Sequence, residues 1–147
     1  MSMISNEQVL TSGMAKVRDI ANDAIIESLS ELAEKSIEHV LMNTRLWHHR
    51  TFNLSDSYGY AIYRNGSIKK KWMNQPKASQ PDTKGGSGAQ MGSDFLNSFS
   101  STQPWELVVV AGEFYAEWLD RVKSLDVLTG ALQYTQENFL ADFKRMN

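Results

Sequence analysis

The sequence predicts an α+β domain: a long N-terminal helix, a small antiparallel sheet with a hairpin and a long loop, and a C-terminal helix packed on the sheet. Three observations lead there. From about Glu7 to Arg45 apolar residues recur at helical spacing. From Ser57 the spacing becomes that of a strand and ends in Asn65-Gly66, the dipeptide of tight hairpins. Trp105 to Ala111 is a branched apolar run closed by Gly112.

A chain of 147 residues is the size of one domain, 1–147, and long enough to bury a core without covalent staples. A formal net charge of -2 gives no global attraction to nucleic acid or anionic membrane, so any such argument must rest on local charge. Cysteine is absent, which excludes disulfides, thiolate metal sites and cysteine nucleophiles. No window approaches the roughly 18 apolar residues of a membrane span, and MSMISNEQVLTSG lacks the basic region and apolar core of a secretory signal. The expectation is a soluble, unexported protein.

In the N-terminal helical region, 1–46, the apolar positions Leu10, Met14, Val17, Ala21, Ala24, Ile25, Leu29, Leu32, Ala33, Ile37, Val40 and Leu41 recur at three- and four-residue steps. Glu27, Glu31, Glu34, Lys35 and Glu38 lie mainly between them, as on an amphipathic helix with one wet face. Unbroken, such a helix would be a rod of roughly 60 Å. A domain of this length has a radius of gyration of only about 15 Å. The helix therefore either breaks near Ser28 to Ser30 or projects and offers its apolar stripe to a neighbour.

Thr51, Asn53, Ser55, Asp56 and Ser57 suit a polar turn that hands the helix over to the sheet. Ser57 to Tyr63 reads as a strand, and Ser67 to Met73 as its return, with Ile68 and Trp72 as packing residues. Residues 74–104 read as a flexible loop insertion holding all three prolines and the run Lys84-Gly85-Gly86-Ser87-Gly88. Within it, Ser93 suits the cap of a short helix that docks Phe95, Leu96 and Phe99. Trp105 to Ala111 reads as a buried central strand partnered by the hairpin. Glu113 to Val122 returns to helical spacing, with Phe114, Ala116, Trp118, Leu119 and Val122 for burial. A last helix, from about Asp126 to Lys144, carries Leu128, Ala131, Leu132, Thr135, Phe139, Leu140 and Phe143 on one face.

Chemistry-bearing patterns are few. His48 and His49 are adjacent and point apart, so they cannot form the i, i+4 pair of a helical metal site. Glu113, Glu117 and Asp120 share a helix side that reads as a solvated or ion-paired face. In the glycine run Lys84 precedes the glycines, whereas a phosphate loop needs its lysine after them. No G-x-S-x-G elbow occurs, and no convergent catalytic set supports an enzyme or a cofactor. The local charge feature is Arg64, Lys69, Lys70, Lys71, Lys77 and Lys84 against Asp82 alone. Lys69, Lys70 and Lys71 beside Trp72 suit phosphate contacts with an aromatic for stacking, which makes a small nucleic-acid-binding module the alternative function. The other reading of those lysines is an edge strand guarded against aggregation.

Asn53-Leu54-Ser55-Asp56-Ser57, followed by a strand and a hairpin, resembles the "T-G-N-L-R-x-S-I" signature of the phage tail-component family. Members are small head-to-tail joining or tail-completion proteins of long-tailed phages. Val108 to Gly112 followed by Glu113-Phe114-Tyr115-Ala116-Glu117-Trp118-Leu119-Asp120 is similar to the family's strand and "Y-A-x-x-V-E". Asp126-Val127-Leu128 leads into the last helix as in Bacteroides-type phage and prophage versions. The chain departs from the pattern at Phe52 (for Gly), Asp56 (for Arg), Leu119-Asp120 (for Val-Glu) and Arg121 (for Gly).

The resemblance implies a non-enzymatic virion protein, a ring of identical subunits between the head-tail adaptor and the tail-tube proteins. It also implies a place in the virion, reached through the bacterial cytoplasm during assembly. Asn53, Leu54 and Ser57 would shape the turn, and Tyr115 and Ala116 would pack on the sheet. Independently of the family, a helix too long for its domain, a long loop, and Trp72 and Trp105 as exposed aromatics point to assembly with partners.

Overall fold

The computed structural model of the protein describes residues 5–42, 57–74, 88–112 and 128–144. The elements are α1 (Asn6–Met42), β1 (Tyr58–Arg64), β2 (Ser67–Met73), α2 (Gly88–Ser98), β3 (Trp105–Ala111) and α3 (Thr129–Lys144). This is the α+β arrangement with a long N-terminal helix that the sequence predicts. The three strands form one antiparallel sheet in the order β2-β1-β3.

The hairpin closes as its dipeptide requires. Asn65 and Gly66 have φ of 48° and 80°, the positive pair of a two-residue turn whose twist matches the strands. Because side chains alternate along a strand, β1 feeds two cores. Tyr58, Tyr60 and Ile62 join Leu29, Ala33, Ile37 and Val40 of α1 and Ala131 of α3. Ala61 and Tyr63 point the other way, to Leu96 of α2 and Val110 of β3. The sheet therefore lies between α1 with α3 on one face and α2 on the other, and β1 is buried along nearly its whole length.

Three expectations change. β1, not β3, is the central strand: among the described residues β3 is an edge, and its continuous apolar run reflects helices over both its faces rather than strands on both its sides. α2 starts at Gly88, so Ser93 lies inside the helix and does not cap it; of its apolar residues Leu96 is buried but Phe95 is exposed. The helix expected inside the 74–104 span runs from Gly88 to Ser98, 11 residues.

The start of α2 is seated by glycines. A Cβ on Gly112 would collide with the Gly88 carbonyl oxygen and the Gly92 amide. The Gly112 N–H donates to the carbonyl of Ser57 at 3.1 Å, and Ser57 is fully buried. α3 shares the core through Ala131 but lies chiefly along α1, where Ser36 and Thr135 hydroxyls are 2.8 Å apart and the His39 and Tyr134 rings stack at 5.2 Å.

Candidate functional site

α1 is continuous, so the second of the two outcomes holds: it projects. It begins at a capping box, with the Gln8 N–H donating to Ser5 Oγ and the Ser5 N–H to Gln8 Oε1. Residues 5–21 are all exposed, and the buried positions of the helix run from Leu29 to Val40. Exposed apolar side chains follow one another along the projecting part: Val9, Leu10, Met14, Val17 at 68% and Ile20 at 70%. At about 100° per residue they span an arc of about 140°, with Glu7, Lys16, Arg18, Asp19 and Asp23 outside it. Gly13 falls within the arc, and among the described residues nothing lies within 4 Å of where its Cβ would be. A mid-helix glycine costs roughly 1 kcal/mol relative to alanine. Its place between Val9 and Val17 leaves room for another backbone to come close.

This exposed stripe is not an extension of the buried one. Ala21, Ile25, Leu29, Ala33 and Ile37 follow at four-residue steps, and each step advances about 40° around the helix. By Leu29 to Val40 the apolar face has turned by about 140° from that of Leu10 to Ile20. The half of α1 in the domain faces the sheet; the projecting half presents its apolar side in nearly the opposite direction.

The basic hairpin is more committed than its sequence suggests. Lys71 Nζ donates to Asn97 Oδ1 at 2.8 Å and to Ser93 Oγ at 3.1 Å, tying β2 to α2. Trp72 is half-buried and stacked on Tyr60, ring centroids 5.8 Å apart. Trp105 is half-buried beneath the Arg64 guanidinium, 5.3 Å from its ring centre. Neither tryptophan is the exposed aromatic expected from sequence; among the described residues Phe95 and Phe139 are exposed instead. Lys69 and Lys70 remain on the surface of β2, Lys69 at the point where the register with β1 shifts.

Ser57 is a fully buried turn residue immediately before β1. Asn53, Leu54, Tyr115 and Ala116 lie outside the described residues, as do His48, His49, the segment 113–122 expected to be helical with its three carboxylates, and Lys84 to Ser87.

Two apolar grooves flank β3. One, of about 660 Å³, lies between α1, β3 and α3 and is lined by Leu29, Trp105, Leu107, Val109 and Leu132 among others. The second, of about 430 Å³, lies on the other face against α2, with Met91, Phe95 and Val110 in its walls. Neither gathers polar groups for chemistry.

The titratable groups of the core are phenols. Burial pushes Tyr60 up to about 12, the Glu34 carboxylate it donates to at 2.8 Å adding to the rise and Ser30 opposing it. Burial also raises Tyr63, with Glu106 contributing. Among the described residues there is no cluster of three metal-ligating side chains and no helix long and apolar enough to cross a membrane. No protein-family model matches the chain, and neither does any curated protein or solved structure.

Proposed function

We propose that this protein is a non-enzymatic structural component of a phage or prophage virion that acts as an oligomeric ring in tail completion or head-to-tail joining. The virion setting rests on the sequence resemblance. Assembly rests on one observation: α1 leaves its domain carrying an apolar face that no other described residue covers. An arc of about 140° is wider than the narrow seam of a two-stranded coiled coil, so it suits burial against more than one neighbouring helix, as in a ring. The nucleic-acid reading is left with Lys69 and Lys70, because Lys71 and Trp72 are engaged inside the domain.

Light scattering on the full chain across concentrations, alone and with the tail-tube protein of the same phage, tests this reading. A concentration-dependent oligomer that Val17→Glu abolishes supports it. A chain that stays monomeric under both conditions, or an oligomer indifferent to Val17→Glu, overturns it.

A further inference from the structure

The two edges of the sheet are built differently. β2 carries Lys69, Lys70 and Lys71, and its register with β1 jumps so that Ile62 faces Lys70 while Tyr63 faces Ile68, leaving Lys69 as a bulge. Lysines and a bulge are the usual guards of an edge strand. β3 has neither. Its seven residues pair with β1 in an unbroken register, and Glu106 is its one charge.

The outward backbone of β3 can be read from its ladder. Asn65 N–H donates to Pro104 O and Gly112 N–H to Ser57 O, both at 3.1 Å and both in register with the pairs from Arg64–Trp105 to Tyr58–Ala111. Hydrogen-bonded and non-bonded pairs alternate in an antiparallel ladder. Glu106, Val108 and Val110 therefore bond to β1, and the N–H and C=O groups of Trp105, Leu107, Val109 and Ala111 point away from it. Among the described residues no strand pairs with that side. On its flanks stand Leu132 of α3, 59% exposed, and Phe95 of α2, 51% exposed, each in the wall of one of the grooves.

We propose that β3 is a strand-pairing surface and that its occupant is β3 of a second copy, antiparallel about a two-fold axis at Val108. The register argues for a second copy. Only with Val108 facing its own counterpart are all seven residues paired, and in that alignment Trp105 meets Ala111 and Leu107 meets Val109. Those are the residues with outward groups, so every outward N–H and C=O finds a partner. The alignment sets the largest side chain beside the smallest, and it places Glu106 opposite Val110, so that like charges do not face each other. A strand of seven residues runs about 24 Å, and the two copies of Leu132 and of Phe95 come to the same junction, one pair on each face. Such an interface is isologous, whereas the arm of α1 is a separate surface, so the two stand or fall independently.

The natural chain has no cysteine, so Val108→Cys adds a single thiol to the full-length protein. At a non-bonded pair on the axis the two Cα atoms lie about 4.5 Å apart, within disulfide reach. Under mild oxidation Val108→Cys should give the disulfide-linked dimer at least tenfold faster than Val109→Cys, whose counterpart is displaced along the strand. Val109→Pro removes an outward donor while leaving the β1 ladder whole, and should weaken the dimer at least tenfold by light scattering with an unchanged circular dichroism spectrum. Both are repeated with Val17→Glu, so that loss of arm-driven assembly is seen separately from loss of the two-fold. Equal cross-linking at the two positions, no dimer for either, or a dimer indifferent to Val109→Pro would overturn the proposal; so would occupation of the edge by an unrelated extended chain in place of a second copy.

Discussion

Tyr60 donates its hydroxyl proton to Glu34 across 2.8 Å, joining the central strand of the sheet to the exposed side of the long helix. Tyr60→Phe removes that bond and leaves a carboxylate that water can still reach, so the loss should be modest, about 1 kcal/mol in urea unfolding at neutral pH.

The same residue sets a pH dependence. The folded phenol titrates at about 12 and the unfolded one near 10, so the native state holds a proton that the unfolded chain gives up. The resulting stability is complete below pH 10 and is lost as the pH rises through 12. Unfolding curves between those limits should fall more steeply for the wild type than for Tyr60→Phe.

Leu32 and Val17 lie on one helix, yet truncation should separate them. Leu32 is buried in the domain, and Leu32→Ala should cost about 2–5 kcal/mol of domain stability. Val17→Ala should leave domain stability within about 0.5 kcal/mol, since its side chain is exposed. Thermal unfolding at a concentration below assembly measures both.

Gly112→Ala would force a methyl group into the backbone of α2 at Gly88 and Gly92, where no flexible side chain can give way. A loss of about 1–3 kcal/mol and a lower Tm are expected. Gly13→Ala, with open space around it, should do the reverse and raise helix content in the unassembled chain.

Lys69→Thr combined with Lys70→Thr removes the two β2 lysines that are not tied to α2. If these lysines guard that edge, turbidity after partial heating should rise while stability stays within about 0.5 kcal/mol. Salt-sensitive DNA binding by the wild type, lost in this variant, would restore the nucleic-acid reading.

Helices, strands and the hairpin were legible because each rests on a local signal: the period along α1, the alternation in β1, and Asn65-Gly66 at positive φ. The position of β3 was not. A run of valines carries burial on two faces but cannot say whether those faces meet helices or whether a strand lies alongside. The turning of the stripe on α1 was present in the sequence as four successive four-residue steps, Ala21 to Ile37, which three- and four-residue counting merges into one face. The engagement of Lys71 with α2, and of Trp72 with Tyr60, depends on residues far away in the chain, and no spacing within β2 encodes it.

If the proposed assembly holds, the change of side along α1 would give one helix a place in two cores, the second of them formed only between molecules. A helical arm of this length is marginal in water without a packing partner, even with a good cap. Its turns should open in a lone copy and close once neighbours cover Val9 to Ile20. Lys16 and Arg18 lie in that stretch, so a trypsin-like protease would trim free copies and spare incorporated ones. Incorporation would thus set the lifetime of each molecule, and surplus copies would be cleared by the same exposure that lets them join.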